Sequence, residues 1–292
     1  MLIATNGILI SQKGDVLLIQ RNDTRTFAPP GGSLEAGELP TDGVVREVRE
    51  ETGLIVMPAR LVALSFLPVK PQPYFAFIFR CLMRGGEIQP SPESPHVGFY
   101  PYDKLPRPMA PMHRRRIETA VTHSGGPVIW QTDKLNWYDR LGRFVLHNVV
   151  YRYYAWQRRR GTRPPYQPPP SWQITVHTVV QNPAGEVLWL EEGSGQWRLP
   201  GGPANDAMPP WETAVSLAPF PIQLTGLAAV YTAENAARMT LLFTAVAAPT
   251  ALPDSTRWFS AGQPPQTTPA QTQYLQDALG PSEITLFRRL PV

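Results

Sequence analysis

The chain has 292 residues, 42% of them apolar and 17% charged, which at roughly 100 to 200 residues per domain is material for two buried cores and excludes wholesale disorder. Its net charge of +4, from 27 Lys and Arg against 23 Asp and Glu, suits an anionic partner but is too dilute to mark a nucleic-acid-binding protein. The single cysteine, Cys81, excludes an internal disulfide or a multi-cysteine metal site and fits a reducing compartment.

The opening residues lack the basic lead, apolar run and small-residue cleavage site of a secretory signal. Nor does any apolar run reach the roughly 20 residues that cross a bilayer, so a cytoplasmic protein with no membrane partner is expected. Aliphatic and β-branched runs at 3–10 and 16–20 read as strands, and the turn-forming Lys13-Gly14-Asp15 between them predicts a hairpin. After Phe27-Ala-Pro-Pro-Gly-Gly32, residues 40–52 read as a helix. Pro40 suits its first turn, where a missing N–H has no intrahelical partner, and Gly53 supplies a left-handed stop. Gly43, inside that helix, is a poor helix former and should cost about 1 kcal/mol.

On such a helix Glu47, Glu50 and Glu51 fall within one sector, because positions three and four apart stack on a face. Like charges that close are destabilising unless neutralised, and oxygen donors without nearby His or Cys favour Mg²⁺ or Mn²⁺ over zinc. Taken alone, the run also fits a solvated acidic helix end. Further along, a strand is expected at 74–83 and a helix at 113–121, so the unit reads as a mixed sheet with packed helices, an α/β or α+β sandwich.

Residues 32–54 read GSLEAGELPTDGVVREVREETGL. The spacing of Gly32, Glu38, Arg46-Glu47, Glu50-Glu51 and Gly53 resembles the Nudix box of the Nudix hydrolase (MutT-like) family at every defined position. The resemblance implies a loop-helix-loop in an α/β/α sandwich that hydrolyses a nucleoside diphosphate linked to another moiety: an ADP-ribose-like sugar, a nucleoside triphosphate or a dinucleoside polyphosphate. By the same resemblance Glu47 and Glu51 are the metal ligands, Glu50 assists the metal or the water, Arg46 orients carboxylates, and Glu38 supports the site between Gly32 and Gly53. Bound Mg²⁺ or Mn²⁺ would neutralise pyrophosphate oxygens and activate a water. In this family the general base can lie outside the box. Glu93, in Ser91-Pro-Glu-Ser-Pro95, is the candidate, with a plain surface glutamate as the alternative. The Phe27-Ala-Pro-Pro lead departs from a bulkier Trp-containing one and bears on the substrate floor.

Lys104-Leu-Pro-Arg107 and His113-Arg-Arg-Arg116 follow. They read as outward arginines on a helix, or as Arg107 or His113 contacting phosphates. A connector at 123–170 places Leu146, Val149, Val150, Tyr153 and Trp156 at helical spacing within 141–160 and ends in the stiff Arg163-Pro-Pro-Tyr-Gln-Pro-Pro-Pro170. Trp130, Trp137 and Tyr138 could stack on a base or fill a core.

About 170 residues downstream the unit recurs: Gly14-Asp-Val-Leu-Leu-Ile19 is echoed by Gly185-Glu-Val-Leu-Trp-Leu190, and Phe27-Ala-Pro-Pro-Gly-Gly32 by Trp197-Arg-Leu-Pro-Gly-Gly202. Strands are expected at 174–180, 187–190 and 239–246. The same ruler puts Met208 at Glu38, Ser216 at Arg46, Leu217 at Glu47, Phe220 and Pro221 at Glu50 and Glu51, and Gln223 at Gly53. The chain thus divides into a catalytic unit at 1–122, the connector, and a degenerate, non-catalytic Nudix-like unit at 171–292 that covers the first, binds ligand or assembles a homodimer. Two other classes compete. One is a nucleotide sensor or transcriptional regulator that binds without turnover, against which the intact box speaks. The other is a prenyl diphosphate isomerase, which wants a reactive cysteine where Cys81 falls in a predicted core strand.

Overall fold

The computed structural model describes residues 1–135, 156, 168–193, 195–247, 252–280 and 284–290. The expected connector helix apart from Trp156, together with Trp137, Tyr138 and the linker before Pro168, lies outside the described residues. No helix among the described residues is long and apolar enough to cross a membrane.

The first half runs β1 (Leu2–Leu9), β2 (Val16–Gln20), β3 (Phe27–Ala28), α1 (Pro40–Thr52), β4 (Leu54–Leu67), β5 (Tyr74–Gly86), β6 (His96–Tyr100), a 3₁₀ turn (Tyr102–Lys104), α2 (Pro111–Thr122) and β7 (Ile129–Thr132). Its main sheet has the order β1-β5-β4-β7, with β1 parallel to β5, β4 antiparallel to β5, and β7 parallel to β4. A small antiparallel sheet, β3-β2-β6, stands beside it. Alternation along β5 sorts the two faces. Phe75, Phe77 and Phe79 join Val44 and Val48 of α1 in one core, while Ala76 and Ile78 join Ile117 and Ala120 of α2 in another. The result is helix, sheet, helix: the mixed α/β sandwich that the sequence predicts.

The second half repeats this order with β8 (Gln173–Gln181), β9 (Glu186–Gly193), β10 (Gln196–Arg198), β11 (Gly201–Pro203), α3 (Pro210–Ser216), β12 (Gln223–Thr232), β13 (Arg238–Val246), β14 (Thr256–Ser260), α4 (Pro269–Leu279) and β15 (Leu286–Arg289). Its path β8-β13-β12-β15 has the strand senses of β1-β5-β4-β7. The internal echo in the sequence is therefore an echo in topology.

One expectation needs correction. The predicted hairpin exists only at its neck, where β1 meets β2 through the Ile10↔Val16 bridge, and β8 likewise meets β9 only through Gln181↔Val187. Past the neck each partner turns to a different set of strands, because β1 pairs along its length with β5 and β2 with β6. The segment after Thr122 adds a strand to the first sheet. The free edge of β4 is filled by β7, and the Asp133 N–H donates to Phe66 O at 2.7 Å.

The halves are not insulated from each other. The face of the first sheet that carries α1 and the face of the second that carries α3 share one apolar cluster. Across it Trp130 stacks on Phe243 at 5.0 Å, Phe79 meets Phe287 at 5.5 Å and Phe75 meets Trp211 at 6.4 Å. Trp130 is thus core filler rather than a base platform.

Candidate active site

Helix α1 starts and stops where Pro40 and Gly53 predict. Gly53 takes φ +75 and donates its N–H to Arg49 O at 2.8 Å, and a Cβ there would lie 2.5 Å from Glu87 O. Glycine at 53 therefore serves both the left-handed cap and the close passage of the chain after β5. Gly43 has a packing role that helix propensity does not reveal. A Cβ on it would stand 2.2 Å from Leu34 Cδ2 and 3.1 Å from Glu38 Oε2, so the glycine lets the loop bearing Glu38 lie against the helix.

That loop delivers Glu38 to Arg46. The guanidinium donates through Nε to Glu38 Oε1 at 2.8 Å and through Nη2 to Glu38 Oε2 at 2.9 Å, the paired geometry that fixes both planes. Nη2 also reaches Ser33 O at 3.1 Å, and Nη1 donates to Glu47 Oε1 at 2.9 Å and to Glu50 Oε2 at 3.2 Å. The Glu38 hydrogen bonds, ahead of the charges of Glu47 and Glu38, push the Arg46 pKa up and keep it cationic. Arg46 is a hub, with Glu38 on one side and Glu47 on the other.

Glu47 and Glu51 stand one turn apart and both are largely buried. Burial raises the Glu47 carboxyl above its ordinary range even though Arg46 opposes the rise. Gly32 makes room for it, since a Cβ there would fall 2.6 Å from the carboxylate. Glu51 is 8% exposed and accepts the Gly31 N–H at 2.7 Å. Burial, with repulsion from Glu47 and Glu93 added, pushes it up to about 8 against that hydrogen bond and the charge of Arg21. Glu93 is exposed on the segment before β6, held by Asn22 N–H donating to its carbonyl at 2.8 Å, and its charge adds to the rise at Glu51.

The third box carboxylate does not complete a cluster. Glu50 is 59% exposed at its side chain and turns back along the helix to Arg46. Among the described residues no three His, Cys, Asp or Glu side chains converge closely enough to hold a metal ion. Helical spacing fixes the sector in which a carboxylate starts, not the partner it chooses, and Arg46 takes Glu50. What remains is a buried pair of like charges, Glu47 and Glu51, with oxygen donors only. That pair fits a hard divalent cation, which would relieve both the burial and the repulsion.

Other expected residues fall elsewhere. Arg116 is not outward: it is buried beneath the sheet and donates to Asn6 Oδ1 at 2.8 Å, Ser65 Oγ at 3.0 Å and Asp133 Oδ2 at 3.2 Å. His113 is driven down to about 3, by burial first and by the charges of Arg116 and Arg21 next, which keeps it neutral. Arg107 is exposed. Arg21, which carries a paired contact to Asp23 at 2.8 to 3.0 Å and whose charge reaches Glu51, was not foreseen; its only sequence signal is a cation just after β2 and ahead of the Pro-Pro-Gly-Gly turn.

In the second half one position of the ruler can be followed in space. A Cβ on Gly202 would meet Leu217 Cδ1 at 3.4 Å, so Leu217 stands beside Gly202 as Glu47 stands beside Gly32. Helix α3 has only 7 residues, where α1 has 13, and ends before Pro219 and Pro221.

The family model described as NUDIX domain matches residues 2–120. A MutT-like protein of Streptomyces ambofaciens is 33% identical over 123 residues, which span 42% of this chain and 79% of that protein. An ADP-ribose pyrophosphatase of Methanocaldococcus jannaschii is 33% identical over 129 residues, 42% of this chain and 75% of that protein. Among solved structures, the crystal structure of an ADP-ribose pyrophosphatase from Streptococcus suis is 27% identical and covers 45% of this chain and 98% of its own, with a TM-score of 0.39.

Proposed function

This chain belongs to the Nudix hydrolase family, and from that premise we propose that it splits the diphosphate of an ADP-ribose-like nucleoside diphosphate derivative at the α1 site with Mg²⁺ or Mn²⁺. One observation carries the reading. The Arg46 clamp fixes Glu47 beside a buried Glu51 that is costly to ionise without a cation. A divalent ion held by Glu47 and Glu51 would supply charge neutralisation at the diphosphate and acidify a bound water.

The remaining work falls to this chain's own side chains. Arg46, fixed by Glu38 and Ser33, keeps Glu47 in one orientation and holds Glu50 at the helix surface. The Gly31 N–H aims one Glu51 oxygen, and the other is proposed to bind the ion. Glu93, open to solvent and with a charge felt at Glu51, is the proposed acceptor of the proton of the attacking water. Arg21, paired with Asp23 and with a charge that reaches Glu51, would add positive charge near a phosphate oxygen. The choice of ADP-ribose follows the similarity to the ADP-ribose pyrophosphatase of Methanocaldococcus jannaschii. The second half lacks the acids of the box and is proposed to be non-catalytic.

The test is a panel of ADP-ribose, ATP and diadenosine polyphosphates incubated with the full chain and Mg²⁺ or Mn²⁺, with products separated by chromatography. AMP and ribose 5-phosphate from ADP-ribose are expected. Absence of product from every member of the panel would overturn the reading.

A further inference from the structure

The loop that presents Glu38 is not braced by the first half alone. The turn joining β12 to β13, residues 233–237 of the second half, lies directly against it. The Gly37 N–H donates to Ala236 O at 3.2 Å. Gly37 sits at φ +81, and a Cβ there would lie 2.8 Å from Asn235 N and 3.2 Å from Asn235 Cα, so backbone passes against backbone with no space for a side chain. Asn235 itself takes φ +57, one of two non-glycine residues at positive φ among those described. Asparagine tolerates that region, whereas a β-branched residue does not.

The turn is anchored on its own side. Ala233 N–H donates to Arg238 O at 3.0 Å, and Gln173 N–H donates to Ala237 O at 2.9 Å, which ties the turn to the ladder of β12 and β13 and to the start of β8. One residue past Gly37 stands Glu38, the bidentate partner of Arg46, and Arg46 in turn holds Glu47. A short chain of direct contacts thus runs from Asn235 and Ala236 to the carboxylate proposed to bind the cation.

We infer that the 233–237 turn of the second half is a positioning element for the hydrolytic site: by holding Gly37 it sets the Glu38 carboxylate, and through Arg46 the orientation of Glu47. The inference rests on the hydrolase reading above and gives the second half a part in the reaction although it carries none of the box acids. Asn235 and Ala236 are positioning residues that act through Glu38.

The test uses the full chain and three variants. Asn235→Val cannot hold the left-handed backbone, Asn235→Gly adopts it freely, and insertion of two glycines after Asn235 lifts Ala236 O away from Gly37 without demanding strain. Mn²⁺ affinity is read without substrate by electron paramagnetic resonance, kcat and KM are read for the hydrolysed substrate, and near-ultraviolet circular dichroism checks that each variant is folded. Outer residues that orient ligands typically change affinity or activity by about 10- to 100-fold. Asn235→Val and the insertion are therefore expected to lower kcat and weaken Mn²⁺ binding by about tenfold at least, with KM within about twofold of wild type. Asn235→Gly should restore both. If Asn235→Val does not fold, the insertion variant alone decides. Wild-type kcat and Mn²⁺ affinity in the folded variants would overturn the inference and leave the hydrolase reading intact. A wild type that neither turns over substrate nor takes up Mn²⁺ overturns both.

Discussion

Replacing Glu51 by glutamine removes a charge that the fold holds at a cost. The side chain is 8% exposed, and its carboxyl is pushed up to about 8 from an ordinary 4.5, chiefly by burial. The sign follows from proton linkage. Between these two values the folded state keeps a proton that the unfolded state has released, so stability falls as pH rises, by about 1.4 kcal/mol per pH unit, and levels off above about 8. The penalty is near zero at pH 4.5, roughly 3 kcal/mol at pH 7 and at most roughly 5 kcal/mol at pH 8 and beyond. Glutamine keeps an oxygen to accept the Gly31 N–H, now at 2.7 Å, and carries no charge. In EDTA, Glu51→Gln is therefore expected to unfold at higher urea concentration than wild type at pH 8 and at nearly the same concentration at pH 5. Mn²⁺ should reverse the order at pH 8, because it binds the folded wild type and gains nothing from the variant. Urea titrations followed by tryptophan fluorescence at both pH values, with EDTA or Mn²⁺, supply the four comparisons. A variant less stable than wild type at pH 8 in EDTA would refute the reasoning, since it would mean that the buried charge is already compensated without a cation.

Gly43→Ala should gain up to about 1 kcal/mol in helix propensity yet destabilise the protein by about 1 to 3 kcal/mol net, because the added methyl meets Leu34 at 2.2 Å and crowds Glu38 at 3.1 Å. The urea midpoint checks the sign, and a raised midpoint would show that the loop yields freely. Asp133→Ala leaves the buried Arg116 guanidinium without its carboxylate, at a cost of about 3 to 5 kcal/mol, while Arg116→Met combined with Asp133→Leu should cost less than Asp133→Ala alone. Thermal melts of the single and double variants test the order, and a double variant less stable than the single would contradict it.

The parts legible in the sequence are those carried by neighbours along the chain. Helix α1 is readable to its ends because Pro40 and Gly53 act locally, and β5 because Phe75, Phe77 and Phe79 alternate with Ala76 and Ile78. Pairing is less legible: Lys13-Gly14-Asp15 does turn the chain, but whether β2 stays with β1 depends on β5 and β6, which arrive more than fifty residues later. β7 was missed because four residues, Ile129–Thr132, carry too little pattern to announce a strand, and only the open edge of β4 calls for one.

The site divides the same way. The identity and spacing of Glu38, Arg46, Glu47, Glu50 and Glu51 are written in the sequence, and the clamp they form follows from it. The convergence of all three helix carboxylates does not, because a guanidinium within reach competes for Glu50. Gly43 looked like a weakness while it was weighed as helix propensity, and becomes a requirement once Leu34 and Glu38 are placed beside it. Arg116 looked like a surface cation because its partner Asp133 lies beyond the helix and the next strand. Asn235 gave no signal, since its contact with Gly37 spans nearly two hundred residues of sequence.

The most direct test of the central claim, that Glu47 and Glu51 hold the ion that cleaves a diphosphate, is the Mg²⁺-dependent turnover of ADP-ribose by wild type beside Glu47→Gln and Glu51→Gln. The account predicts turnover in wild type that disappears with EDTA, and a loss of about a thousandfold or more in either variant, on the scale of several kcal/mol of transition-state stabilisation that a catalytic metal supplies. Turnover in either variant close to that of wild type would contradict it.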